Sequence, residues 1–260
     1  HGSLASDLAA NGGSITLNEA TLRSQLSYNS GTITGSGAAT ALGGSSIYSD
    51  QRFTNYGTIT GVNFTNVDAP EPEPGTWAPT VRNEGVMQGV FLNTSGLFFN
   101  APEAYFIGAI QTTGAIANYG TMEVAWVDIQ ASPEEVRFSN FGDLYLDGTQ
   151  IYTYPFFPRV DESPARIDNY GNLYLQGEIH NPLSGGGKIY VNHASAGESV
   201  LTGNNTFYGD LYLQNGSLTI TADHQLGDTN PERTNLGHVA QGTTLSVDGA
   251  TLSPNRRIEL

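Results

Sequence analysis

Along this chain apolar and polar residues alternate in short runs, as in Ile15-Thr-Leu17, Leu144-Tyr-Leu146, Leu173-Tyr-Leu175, Ile189-Tyr-Val191 and Leu211-Tyr-Leu213. A period of two puts the aliphatic residues on one face of a strand and the intervening threonine or tyrosine on the other. Each run follows a small turn: Asn11-Gly-Gly13, Asn29-Ser-Gly31, Asn55-Tyr-Gly57, Asn83-Glu-Gly85, Asn118-Tyr-Gly120, Asn140-Phe-Gly142 and Asn169-Tyr-Gly171. Asn and Gly tolerate positive φ and an Asn side chain bonds nearby backbone, so the phrase has turn chemistry. Later members lose the asparagine, as in Gly187-Lys-Ile189, Gly209-Asp-Leu211, Gly216-Ser-Leu218 and Gly242-Thr-Thr-Leu245. Three copies carry a longer phrase: Arg52-Phe-Thr-Asn-Tyr-Gly57, Arg137-Phe-Ser-Asn-Phe-Gly142 and Arg166-Ile-Asp-Asn-Tyr-Gly171.

Spacing decides what the turns connect. From Asn29 to Asn169 the aligned asparagines are 26, 28, 35, 22 and 29 residues apart, whereas hairpins of a meander repeat their turn signals every ~8–12 residues. Such intervals belong to a repeat architecture in which each unit is one coil. The pattern predicts an all-β chain, a single-stranded parallel β-helix (solenoid) with loop insertions, forming one domain over residues 4–260. Ile, Leu and Met are expected in interior columns and the asparagines in an amide ladder. Insertions are expected near 67–79, 100–107 and 151–164, where Pro-rich and aromatic stretches interrupt the repeat.

Composition narrows the partners. The net charge is −15, with Lys188 the only lysine, so the surface repels phosphate backbones and anionic lipid, and nucleic acid is not expected as a partner. No apolar run reaches the ~18–20 residues of a membrane-spanning helix, and no direct membrane insertion is expected of these residues. The absence of cysteine excludes disulfides, thiolate metal sites and cysteine nucleophiles, and suits a chain that crosses a membrane unfolded. His1-Gly2-Ser3 reads as the remnant of an added tag.

Residues 184–228 carry a denser signature: Gly185-Gly-Gly-Lys-Ile189, Leu201-Thr-Gly-Asn-Asn-Thr-Phe-Tyr-Gly209, Leu211-Tyr-Leu213, Gly216-Ser-Leu218 and Leu226-Gly227. This segment resembles the autotransporter-associated β-strand repeat of bacterial type V secreted passenger domains. The resemblance implies a right-handed β-helical stalk, a passenger fragment without its membrane barrel, outside a Gram-negative cell. The function it implies is that of a non-enzymatic adhesin or interaction module, with a glycan or surface protein as partner and self-association through the long flanks of the helix.

No Gly-x-Ser-x-Gly elbow, Walker loop or dinucleotide fingerprint appears. His180, His193, His224 and His238 stand 13, 31 and 14 residues apart, which is not a metal-ligand spacing, and they read as surface residues. No cofactor is expected; turn oxygens of Asp143, Asp147, Asp168 and Asp210 leave calcium open, although no calcium-repeat signature accompanies them. The alternative functions are a β-helical polysaccharide lyase or hydrolase, with Glu134, Glu135, Asp161 and Glu162 as its carboxylates, and a phage tail-spike-like fibre. Arg52, Arg137 and Arg166 share one register and require acids such as Asp168 between them. For ligand binding the candidates are Tyr152, Tyr154, Phe156 and Phe157 in a proline-stiffened loop, and Trp77 between Pro74 and Pro79.

Overall fold

The computed structural model of the chain describes residues 2–6, 8–36, 45–66, 80–112, 114–129, 138–147, 151–153, 163–164, 166–192, 196–230 and 236–259. Among these, the strands form a parallel β-helix: long parallel sheets in which each coil lies in register on the previous one. The exception is a short antiparallel pair, Ile151–Thr153 with Ser163–Pro164. It makes the base of the 151–164 excursion a hairpin, while Ile151–Thr153 also stacks in parallel on the end of Thr121–Ile129.

The alternating pattern becomes three interior columns. On the first face Ile15, Ile33, Ile59, Met87, Phe106, Met122, Leu144, Leu173, Ile189 and Leu211 follow one another in register. The second face carries Leu22, Ile47, Phe64, Leu92, Ile110 and Val127. On the third, Phe53, Val81, Phe98, Ile116, Phe138, Ile167 and Leu183 are all buried. In the middle coils the first two faces fuse into long strands, Val86–Thr94, Tyr105–Thr112 and Thr121–Ile129. A register shift between Gln88 and Val90 brackets Gly89, whose φ of 60° is open to glycine. Beyond Gln176 a separate sheet takes over one side: Glu178–Ile179, Glu198–Leu201, Ser217–Ile220 and Thr244–Val247. The runs at Leu218 and Leu245 therefore belong to a different face from the runs at Leu144 and Leu173.

The expected amide ladder is present. Asn11, Asn29, Asn55, Asn83, Asn100, Asn118, Asn140 and Asn169 point inward, and each Nδ2 donates to the Oδ1 of the next at 2.7–2.9 Å. The same Nδ2 atoms also reach strand carbonyls, as from Asn118 to Asp143 O at 3.0 Å and from Asn140 to Asn172 O at 2.9 Å. The ladder stops at Asn169, where Gly185 holds the next position; a Cβ there would stand 2.1 Å from Asn169 O.

Two sequence expectations are corrected. No long insertion occupies 100–107: Asn100 is a ladder member, Ala101-Pro-Glu-Ala104 closes a tight turn with Glu103 at φ 67°, and Tyr105–Thr112 is a strand. The 35-residue interval is thus two coils, of 17 and 18 residues. This coil hid because its turn has no glycine. The glycines of the Asn-x-Gly turns, moreover, do not serve positive φ, which among the later turn glycines is found at Gly216 and Gly242: a Cβ on Gly57 would lie 2.0 Å from Gly31 O, and one on Gly142 would lie 2.1 Å from Gly120 O. What glycine supplies is close approach of one turn to the turn beneath. Gly2–Ser6, including two residues of the supposed tag remnant, pairs in register with Ala20–Ser24.

Two substitutions test this core. Replacing Asn118 by Ala leaves Asn140 Oδ1 without its donor inside the body, so Asn118→Ala should lose about 2–4 kcal/mol in urea unfolding. Gly237 interrupts the first-face column above Leu211, beside a cavity of about 20 Å³ lined by Leu211, Leu218, Leu226 and Ile258. A Cβ there meets nothing nearer than 3.7 Å, so Gly237→Ala should stabilise the last coils by about 0.5–1 kcal/mol, read as a raised urea midpoint.

Candidate interaction surface

Parallel in-register stacking turns every outward position into a column, and two of these columns are aromatic. On the first face Tyr145, Tyr174, Tyr190 and Tyr212 lie in register and end on His238. Their rings stack at 4.3, 4.9, 5.1 and 4.4 Å, nearly parallel throughout. His238 Nδ1 closes the column on Glu259 at 3.1 Å. These residues are half-buried, and their ring faces are spent on one another, so the column acts as an external spine holding coils together.

The second column lies along the turn corner and is open. Tyr56, Tyr119, Phe141 and Tyr170 occupy the position between Asn and Gly, with Tyr28 just before Asn29 and Tyr208 just before Gly209. They are 36–55% exposed and make up six of the eight exposed large apolar side chains among the described residues. Phe99, Tyr119, Phe141 and Tyr170 follow one another at 5.2, 4.5 and 5.3 Å, and Tyr28 meets Tyr56 at 5.5 Å. Arg82 lies over Phe99 at 4.5 Å while paired with Glu84. In the coil after Tyr170 the equivalent residue is Gly186, and Tyr208 leans over it; a Cβ there would come within 2.5 Å of that ring. A ridge of aromatic edges and hydroxyls thus runs along one corner of the solenoid. Its members stand in the quoted turn phrases, but only the coil geometry aligns them.

The candidates drawn from the loops fall elsewhere. Trp77, Tyr154, Phe156 and Phe157 lie outside the described residues, as do Glu134, Glu135, Asp161, Glu162, Arg137 and His193; for Tyr152 only the backbone, paired with Pro164, is described. The acid expected beside the arginine register is there: Arg166 bonds Asp168 at 2.7 and 3.0 Å, and Ser184 Oγ donates to the same carboxylate. The aspartates considered for calcium do not converge. Asp143, on the first face, accepts from Asn172 at 2.8 Å, and Asp210 sits beside Tyr212 there, whereas Asp168 is on the third face; the side chain of Asp147 lies outside the described residues. Among the described residues no three His, Asp or Glu side chains group closely enough to hold a metal ion.

One polar chain is not visible in the linear sequence because Thr202 lies a coil away from Glu178 and His180. His180 Nδ1 meets Thr202 Oγ1 and His180 Nε2 meets Glu178 at 3.2 Å. The order of groups is that of a hydrolytic relay. Yet Glu178 is 59% exposed and His180 35%, and in open water such a chain lacks the enclosed, low-dielectric surroundings that give a relay its strength. It reads as a surface tie between coils. No protein-family model matches the chain, and no curated protein or solved structure does either.

Burial, then the negative charge of Asp143, pushes the Tyr174 phenol up to about 12, and burial raises Tyr145 and Tyr212 as well. A phenol whose folded value lies above the unfolded value of ~10 stabilises the fold below that pH, and the contribution is lost as pH rises through the folded value. Absorbance titration at 295 nm should therefore show a lagging tyrosine class, with stability falling between about pH 10 and pH 12. Tyr174→Phe should remove much of that slope.

Proposed function

We propose that this chain is a non-enzymatic interaction module: a β-helical stalk outside a bacterial cell, of the kind carried by type V secreted passengers, binding a partner through its turn corner. The observation that carries the reading is the gathering of exposed aromatics on one edge of the solenoid. Aromatic side chains bring large contact area at small entropic cost, and patches exposed in this way are characteristic of interaction surfaces. The resemblance of residues 184–228 supports the secreted setting, and the parallel coil is the architecture that resemblance implies.

The stacking refines the partner. Because Tyr119, Phe141 and Tyr170 spend their faces on each other, the ridge offers edges and hydroxyls. Sugar rings prefer free aromatic faces, so a protein surface suits the corner better than a glycan. The −15 charge favours a neutral or basic partner surface.

The triple variant Tyr119→Ala/Phe141→Ala/Tyr170→Ala tests this, with Tyr48→Ala on another face as control. Binding of the purified protein to host or neighbouring bacterial cells should fall at least about tenfold in the triple variant, with an unchanged circular dichroism spectrum, and stay intact in the control. Protease treatment of the target cells should abolish binding and glycosidase treatment should spare it. Equal binding by triple variant and wild type would remove the corner from the mechanism.

A further inference from the structure

The outward tyrosine column of the first face carries a chemistry that packing does not use. The chain has no cysteine, and its two methionines, Met87 and Met122, are 0% exposed, so the usual sulfur targets of oxidants are absent or shielded. Phenols then stand in front. Tyr145, Tyr174, Tyr190 and Tyr212 form an unbroken run of them, with ring centroids 4.3, 4.9 and 5.1 Å apart and planes within 5–19° of parallel. Rings in such contact share an electron vacancy, because the π-systems of neighbours overlap face to face.

A phenol that loses an electron becomes strongly acidic, and it stays oxidised only if its proton has an acceptor within reach, directly or through one water. Both ends of the column have one. Asp143 lies close enough to act electrostatically on Tyr145 and Tyr174, but it already accepts from Asn172 at 2.8 Å. Asp210 receives the hydroxyl of Tyr212 itself at 3.5 Å, and Lys188 near that phenol favours loss of its proton. The exposed ridge is built differently. Phe141, between Tyr119 and Tyr170, has no phenolic proton to give, and Arg166 close to Tyr170 opposes a positive vacancy there.

We infer that the tyrosine column is a one-electron relay that gathers the attack of an external one-electron oxidant at Tyr212. The oxidant takes an electron from any ring of the column, and electrons then pass from ring to ring until the vacancy rests on Tyr212. The balance closes. The oxidant gains one electron, Tyr212 loses one electron and its phenolic proton, Asp210 gains that proton, and the other phenols end unchanged. Damage is thereby drawn to one outward residue, away from the corner ridge and the ladder turns.

Flash-generated tris(bipyridine)ruthenium(III), an outer-sphere one-electron oxidant, tests this on the intact chain together with a nitroso spin trap that combines with tyrosyl radicals. Peptide mass spectrometry locates the adducts. Those at Tyr212 should exceed those at Tyr119 and Tyr170 several-fold, although the latter two are 41% and 52% exposed. Asp210→Asn should move adducts from Tyr212 toward Tyr174. Tyr190→Phe, which breaks the run of phenols, should cut the Tyr212 share several-fold and raise the shares of Tyr145 and Tyr174, and both variants should keep the wild-type circular dichroism spectrum. Adducts that follow exposure, that collect on Trp77 or Trp126, or that keep their distribution in both variants would overturn the relay.

Discussion

Close approach of successive turns governs how this molecule is built. Parallel strands one coil apart must lie at hydrogen-bonding distance, and the corner is where the backbone crowds most. Glycine removes the Cβ that would strike the carbonyl below, as at Gly57 and Gly142. Asparagine then turns the crowding into bonding: its amide is both donor and acceptor, so each residue accepts from one coil and donates to the next. All eight amides point the same way, and a chain of aligned hydrogen bonds in a low-dielectric interior is mutually reinforcing. Alanine would leave carbonyls unmet here and a charged residue would carry a desolvation cost.

Once the coils are in register, the exterior inherits the repeat whether or not the repeat is used for binding. The two aromatic columns make the distinction. Tyr145 to His238 is half-buried, and burial raises the phenols of Tyr145, Tyr174 and Tyr212, which marks a column whose contacts are internal. The corner ridge has the same stacking but far more open surface, and a partner could cover it without displacing any existing contact. Position relative to the sheet, not residue type, separates the spine from the ridge: a tyrosine in mid-strand is flanked by its neighbours in the same coil, whereas one at a turn projects from a convex edge.

The fold was legible because period two and the Asn-x-Gly phrase are local signals, each with a direct physical cause. The coil at Asn100 was not, since Ala101-Pro-Glu-Ala104 reaches the same closure through Glu103 at positive φ and leaves no glycine to read. The role of the glycines was misjudged for a related reason: φ is a property of one residue and can be guessed, while a clash with the next coil exists only after stacking. The ridge stood in plain view as the x of Asn-x-Gly, yet attention goes to Tyr154-Pro-Phe-Phe157, where aromatics are dense along the chain. Density in sequence and density in space differ in a solenoid, because residues 17 to 29 apart are nearest neighbours. The same separation concealed the link between His180 and Thr202.

This separation also explains how the architecture tolerates insertions of unequal length. Coil length between ladder asparagines varies from 17 to 29 residues, while the Nδ2 to Oδ1 distance stays within 2.7–2.9 Å. Extra residues leave at a corner and must return there, and lengthening such a loop costs only logarithmically in closure entropy. The interior, by contrast, allows no slack: one residue of slip would turn Leu144 and Leu146 outward and Tyr145 inward, against ten coils of matched columns. Selection can therefore vary the corners freely while the columns stay fixed. It follows that a partner-binding surface which must keep constant geometry is better built on the turn ridge, whose spacing the ladder sets, than on loops whose lengths are free to change.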